Sequence, residues 1–161
     1  MRIAATLLLC LIGGPALAAS CDHWTASMEE DEGGPRMMAS ICTGAGENEH
    51  TLLVQCGAEG ELNIRFLPAP SISYPPNAGA GDFQADLKFM VDQNDYRHKG
   101  QYEDMDGAIA MDVAIKDPLV EAMMTHKDIV LADTDGKLSA VTFKLQNARS
   151  ALHKVINACG G

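Results

Sequence analysis

The apolar positions of this chain fall into short alternating runs over most of its length and take up helical spacing only towards the end. Trp24, Ala26 and Met28 alternate with polar neighbours, as do Leu52, Val54 and Cys56, and again Leu62, Ile64 and Phe66. A period of two sets one series of side chains on one face of a strand. The runs predict strands at Trp24 to Met28, Arg36 to Thr43, Thr51 to Cys56 and Glu61 to Leu67. The segment Glu29 to Pro35, the Gly- and Glu-rich stretch from Gly44 to His50 and Gly57-Ala58-Glu59-Gly60 supply the turns between them. Strands resume at Phe83 to Asp92, Tyr96 to Tyr102 and Ala108 to Ile115. From Asp117 the period changes. Asp117 can cap a helix, Pro118 suits its first position, and Leu119, Val120, Met123 and Met124 form one apolar face. Asp128 to Asp133 and Leu138 to Leu145 then frame Asp135-Gly136 as a hairpin. A closing helix is capped by Asn147, carries the stripe Leu152, Val155, Ile156 and Cys159, and stops at Gly160. These elements predict an α+β fold, a mainly antiparallel β-sheet domain with two short helices in the C-terminal third.

Two segments break the pattern. Pro68 to Gly81 contains four prolines and two glycines, which preclude a strand ladder and predict an irregular loop. Tyr74 lies on it, and an aromatic displayed on a loop marks a candidate binding residue. At the other end, Arg2 precedes an apolar stretch from Ile3 to Ile12, Gly13-Gly14-Pro15 breaks it, and Ala16-Leu17-Ala18 offers a cleavage site. That layout predicts a signal peptide over residues 1–18 and one mature β-rich domain over 19–161. The apolar stretch is well short of the roughly 20 residues a spanning helix needs. The alternative of a lipidated Cys21 is disfavoured by Ala18, which stands where the lipoprotein pattern places Leu.

Loss of the signal removes Cys10 and leaves Cys21, Cys42, Cys56 and Cys159, an even set that reads as two disulfides in an exported protein. If the first two strands form a hairpin, Cys21 and Cys42 meet at its open end. If the closing helix packs on the sheet, its Cys159 face meets the Cys56 face. The expected pairing is therefore Cys21 with Cys42 and Cys56 with Cys159.

Charge and motifs narrow the function by exclusion. The formal net charge is −10, and without Arg2 the balance is 22 acidic to 11 basic residues. Such a surface repels nucleic acid and anionic membranes. No C-x-x-C, H-E-x-x-H, G-x-S-x-G, P-loop or dinucleotide-binding motif occurs. Asp104, Asp106 and Gly107, like Asp133, Asp135 and Gly136, imitate the middle of a calcium loop. Tyr102 or Leu131 then stands at its first ligand position and Val113 or Thr142 at its twelfth, so both read as turns. His23, His50, His98, His126 and His153 are isolated from one another in sequence. Eight methionines remain after the signal, including Met37-Met38 and Met123-Met124, and thioethers suit Cu(I). With aromatics at 5% of the chain, however, methionine serves as core filler. No catalytic residue, metal ligand or cofactor is assigned.

The helix followed by Ile129-Val130-Leu131-Ala132, then Val141-Thr142-Phe143-Lys144-Leu145, Ala151-Leu152 and Ala158-Cys159, carries a resemblance, together with Trp24 and Leu52-Leu53-Val54-Gln55-Cys56. Over about half the mature chain it resembles small exported proteobacterial proteins of the invasion-associated locus B type, and it is similar to the type VI secretion-associated VasI group. The resemblance implies a β-rich periplasmic accessory protein with no assigned reaction. The function expected is thus that of a non-catalytic exported accessory or partner-binding protein, periplasmic or secreted, whose partner is another envelope or secreted protein. The alternatives are an envelope-acting or extracellular enzyme with dispersed active-site residues and a Met/His copper-handling protein.

Overall fold

The computed structural model describes residues 21, 23–31, 33–75 and 82–160. The segment read as a signal and the end of the Pro- and Gly-rich loop, 76–81, lie outside that set. Four strands follow one another as antiparallel neighbours: β1 (Thr25–Asp31), β2 (Gly34–Thr43), β3 (His50–Cys56) and β4 (Glu61–Leu67). β5 (Gln84–Val91), β6 (Asn94–Glu103) and β7 (Ala108–Ala114) form a meander. Helix α1 (Pro118–Thr125), strands β8 (Asp128–Asp133) and β9 (Val141–Lys144), and helix α2 (Ala148–Ala158) complete the chain. The nine strands make one sheet in the order β1-β2-β3-β4-β7-β6-β5-β8-β9.

The hairpins are set by their turns. β1 runs three residues beyond the expected strand, to Asp31, and β2 begins at Gly34, opposite it. The connection is therefore two residues long, and the acidic residues expected in a turn are paired strand residues instead. Between β5 and β6, Val91 faces Asn94, and Asp92 takes a left-handed φ of 52°, a conformation that short polar side chains tolerate in two-residue hairpin turns. β9 is shorter than the expected strand from Leu138: residues 134–140 form turns and irregular backbone, and buried Leu138 anchors them instead.

Alternation sorts the sheet into an inner and an outer face. Leu52, Val54, Leu62, Ile64, Phe66, Leu87, Phe89, Ile109, Ile129, Leu131 and Phe143 are fully buried on the inner face. Both helices pack into the same cluster. In α1 the Asp117 carboxylate accepts the Leu119 N–H at 2.8 Å, the cap expected from the sequence. In α2, Ala148, Ala151, Leu152 and Val155 are buried. Asn147 does stand at its start, but at φ 65° and without a side-chain cap, its backbone carbonyl accepting the Ala151 N–H at 3.1 Å. Each fully buried large apolar side chain contributes about 1.5 to 3 kcal/mol through its removal from water, so this cluster is the main source of stability.

The sheet curls so that β2 touches β9. Trp24, immediately before β1, closes the gap between the two sheet edges. Its backbone N–H donates to Gln146 O at 2.9 Å and its indole Nε1–H to Lys144 O at 3.1 Å. The indole itself is among the largest fully buried side chains. At the crossing of β6 and β7, a Cβ on Gly100 would meet Ile109 Cγ2 at 2.4 Å, so glycine is what lets these strands approach.

Candidate functional site

The loop that carries Tyr74 is held down by its own backbone. The Ala69 N–H donates to His50 Nδ1 at 3.0 Å, the Ser71 N–H to Glu47 O at 2.9 Å and the Ser71 hydroxyl to Asn48 Oδ1 at 2.7 Å. His50 also stacks on Phe66, and burial lowers its pKa, which keeps the ring neutral and able to accept. Tyr74 is not displayed. Only 5% of it is exposed, and its ring meets Phe83 edge to face at 5.8 Å. The ring follows the apolar rule of the core and leaves Ser71 and Ser73 on the surface.

The Tyr74 hydroxyl is buried near Asp133, yet neither the hydroxyl nor Asp133 Oδ1 has a hydrogen-bond partner of normal geometry. Burial raises the phenol pKa, and the Asp133 and Asp135 carboxylates raise it further. A hollow of about 140 Å³ between this loop and the β8–β9 connection is lined by His50, Ser73, Tyr74, Lys137, Leu138 and Ser139 among others.

The four cysteines form the expected bridges. Cys21–Cys42 has a Cα–Cα distance of 4.5 Å and Cys56–Cys159 one of 5.4 Å. Ile41 pairs with Leu52 and Cys42 with Thr51, so Cys42 and Cys56 lie far apart along their strands. Among the described residues, Cys21, Cys42 and Glu49 form the one group of three with ligand atoms spaced to hold a metal ion. Both sulfurs are in the disulfide, however, and only the thiolate form is a metal ligand.

The remaining candidate groups do not converge. His98 Nε2 lies 3.7 Å from Asp117 Oδ1, and His126 Nε2 lies 3.4 Å from Asp92 Oδ2. These pairs and His50 occupy different parts of the fold. Met111 and Met123 are buried in the core, as expected of filler. Met28 and Met37, by contrast, face each other across β1 and β2, a pairing that depends on a register the sequence did not reveal.

The outer face of the sheet is polar. Asn63 and Arg65 on β4, Asp112 on β7, Lys99, Gln101 and Glu103 on β6 and Gln84 on β5 line adjoining shallow hollows of about 290 and 500 Å³. Asn63 donates to Asp112 at 2.9 Å, and Arg65 pairs with both Glu103 and Asp106. On the outer side of β7 between them, Ala110 lines the smaller hollow and leaves a short furrow between longer side chains, whereas Ala108 is fully covered. Neither helix packs on this face.

No family model matches the chain, and no curated protein matches it. At the level of architecture the chain is an α+β protein dominated by an antiparallel sheet. A solved structure with a similar fold is the crystal structure of invasion associated protein B from Bartonella henselae, with a TM-score of 0.55 and 15% sequence identity over 83% of this chain and 90% of that one. The likeness is one of fold. It accords with the resemblance carried by the strands and the terminal Cys159. No helix among the described residues is long and apolar enough to cross a membrane.

Proposed function

We propose that this chain is a non-catalytic exported accessory protein, periplasmic or secreted, that binds another envelope or secreted protein. The observation that carries this reading is the outer face of the sheet, uncovered among the described residues, where polar side chains from four strands surround a furrow and both helices are spent on the inner side. A surface of mixed amides, carboxylates and cations without a deep enclosed cavity suits a protein partner better than a small substrate. Two disulfides fit a domain that works in an oxidising compartment. The fold shared with an invasion associated protein supports an accessory role. The test is photo-cross-linking in the native envelope with a photoreactive residue at Gln101 on the outer face, at Thr25 on β1, or at exposed Lys154 on α2. A discrete protein adduct at Gln101 or Thr25, absent at Lys154, is the expected result; no adduct at either of the first two positions overturns the reading.

A further inference from the structure

We propose that the outer edge of β1 is a docking strand for an extended, basic segment of a partner polypeptide. The inference rests on the partner-binding reading above and names the chemistry of the partner.

The two edges of the sheet differ. β9 is four residues long, and Trp24 caps its Lys144 carbonyl and the carbonyl of nearby Gln146. β1 is seven residues long and pairs with β2 in an unbroken register from Thr25 to Asp31. Among the described residues, no backbone hydrogen bond reaches its other edge. Such an edge is a template for another strand unless proline, charge or a bulge protects it; β1 has neither proline nor bulge, and its charges are all acidic, so they turn away acidic strands and not basic ones.

The side chains decide which strand is accepted. The hairpin extends beyond the core, so Thr25, Ser27, Met28, Glu29 and Glu30 are all exposed, Met28 at 54%. The strand ends in Glu29, Glu30 and Asp31. Ser27 donates to Glu29 Oε1 at 2.6 Å, which fixes that carboxylate on the same face of the strand as its donor. Met28 lies on the opposite face, opposite Met37. A strand added here meets Glu29 on one face and Met28 followed by Glu30 on the other, so carboxylate is presented on both faces and thioether on one. The complementary strand is basic, with lysine or arginine facing Glu29 and Glu30 and an apolar residue facing Met28. The same carboxylates repel the β1 edge of a second copy, in keeping with the net charge of −10, so the edge selects against its own kind.

The probe is an acetylated and amidated heptapeptide of alternating valine and lysine, added to the full disulfide-bonded protein while backbone amide exchange is followed by NMR. The outward amides of β1 should slow at least tenfold, whereas a peptide with glutamate in place of lysine should leave them unchanged. The double variant Glu29→Lys with Glu30→Lys should weaken binding at least tenfold, and Met28→Ser several-fold. All three positions are exposed, so the melting temperature should stay within a few degrees and confirm that the variants fold. Equal effects of the two peptides, slowing confined to the outer face of the sheet, or no slowing would overturn the proposal. Slowing without added peptide that increases with protein concentration would assign the edge to a second copy and overturn it as well. A cross-link at Gln101 with no peptide effect on β1 removes this inference and leaves the accessory reading intact; absence of cross-links removes that reading itself.

Discussion

Tyr74 shows how a single side chain can be misread from its neighbours. Prolines, serines and glycines around it predict an exposed loop, but the ring finds Phe83 and the hydroxyl is left without a partner beside Asp133. No sequence pattern distinguishes a loop tyrosine that turns inward, because Phe83 lies just beyond the Pro- and Gly-rich segment and Asp133 on a strand remote in sequence. Because the hydroxyl makes no well-formed hydrogen bond, Tyr74→Phe should change stability at neutral pH by less than about 1 kcal/mol. Alkaline pH separates the two proteins. The folded phenol has its pKa raised above 10, so its contribution is fully present below pH 10 and is lost as pH rises beyond it. The parent should lose up to about 1.4 kcal/mol per pH unit more than the Phe variant above pH 10, measured as the difference between their urea midpoints. Equal pH profiles would show that the phenol does not resist ionisation in the fold.

The elements themselves were largely legible. The alternation at Leu52, Val54 and Cys56 and at Leu62, Ile64 and Phe66 places the hairpin β3–β4 correctly, and Asp117-Pro118 starts α1 where the backbone does. The α2 stripe was equally clear, since Cys159 continues the buried line of Leu152 and Val155 and reaches Cys56. Boundaries were less legible where charge conceals pairing. The acids of Glu29 to Asp31 look like a turn but form strand, since an edge strand without a buried face can carry charge on either side. The two disulfides act on very different lengths of chain, with sequence separations of 21 and 103. In the chain-entropy model these are worth about 3 and about 4.7 kcal/mol. Cys159→Ser should therefore destabilise the protein by roughly 1 to 2 kcal/mol more than Cys21→Ser, read from denaturant midpoints with the other bridge intact. A larger loss for Cys21→Ser would mean that the first bridge holds native structure rather than restricting the unfolded chain.

At the scale of the whole molecule, strand order is what the sequence concealed. β4 pairs with β7 rather than β5, and β5 pairs with β8, so the β5–β6–β7 meander enters the sheet in reverse order. Alternation records which face is buried but not which strand lies alongside, and that choice is made by the shared core. The outer furrow depends on the same order, because Ala110 forms its floor only when β7 lies between β4 and β6. The closure at Trp24 also joins distant residues, through an indole hydrogen bond to Lys144 that spans 120 positions. Trp24→Phe keeps an aromatic in the core but removes that bond and part of the packing, and should cost about 2 to 3 kcal/mol. Circular dichroism must report it, since the chain has no other tryptophan for fluorescence. A cost below about 0.5 kcal/mol would show that the sheet edges hold together without the clasp.

The connectivity of the second bridge also sets a timetable. In a chain that emerges from its N-terminus, Cys21, Cys42 and Cys56 are exposed to oxidant together, while the proper mate of Cys56 is the last cysteine to arrive, 103 residues later. Three early thiols can combine in three ways, of which one is native. The hairpin β1–β2 forms from near neighbours and favours that one, but nothing yet formed occupies Cys56. Until α2 docks, this thiol is an open electrophile trap and a free nucleophile against the first bridge. Oxidative maturation of this protein is thus a contest between synthesis and shuffling, in which a disulfide isomerase raises the yield and a fast, indiscriminate oxidant lowers it.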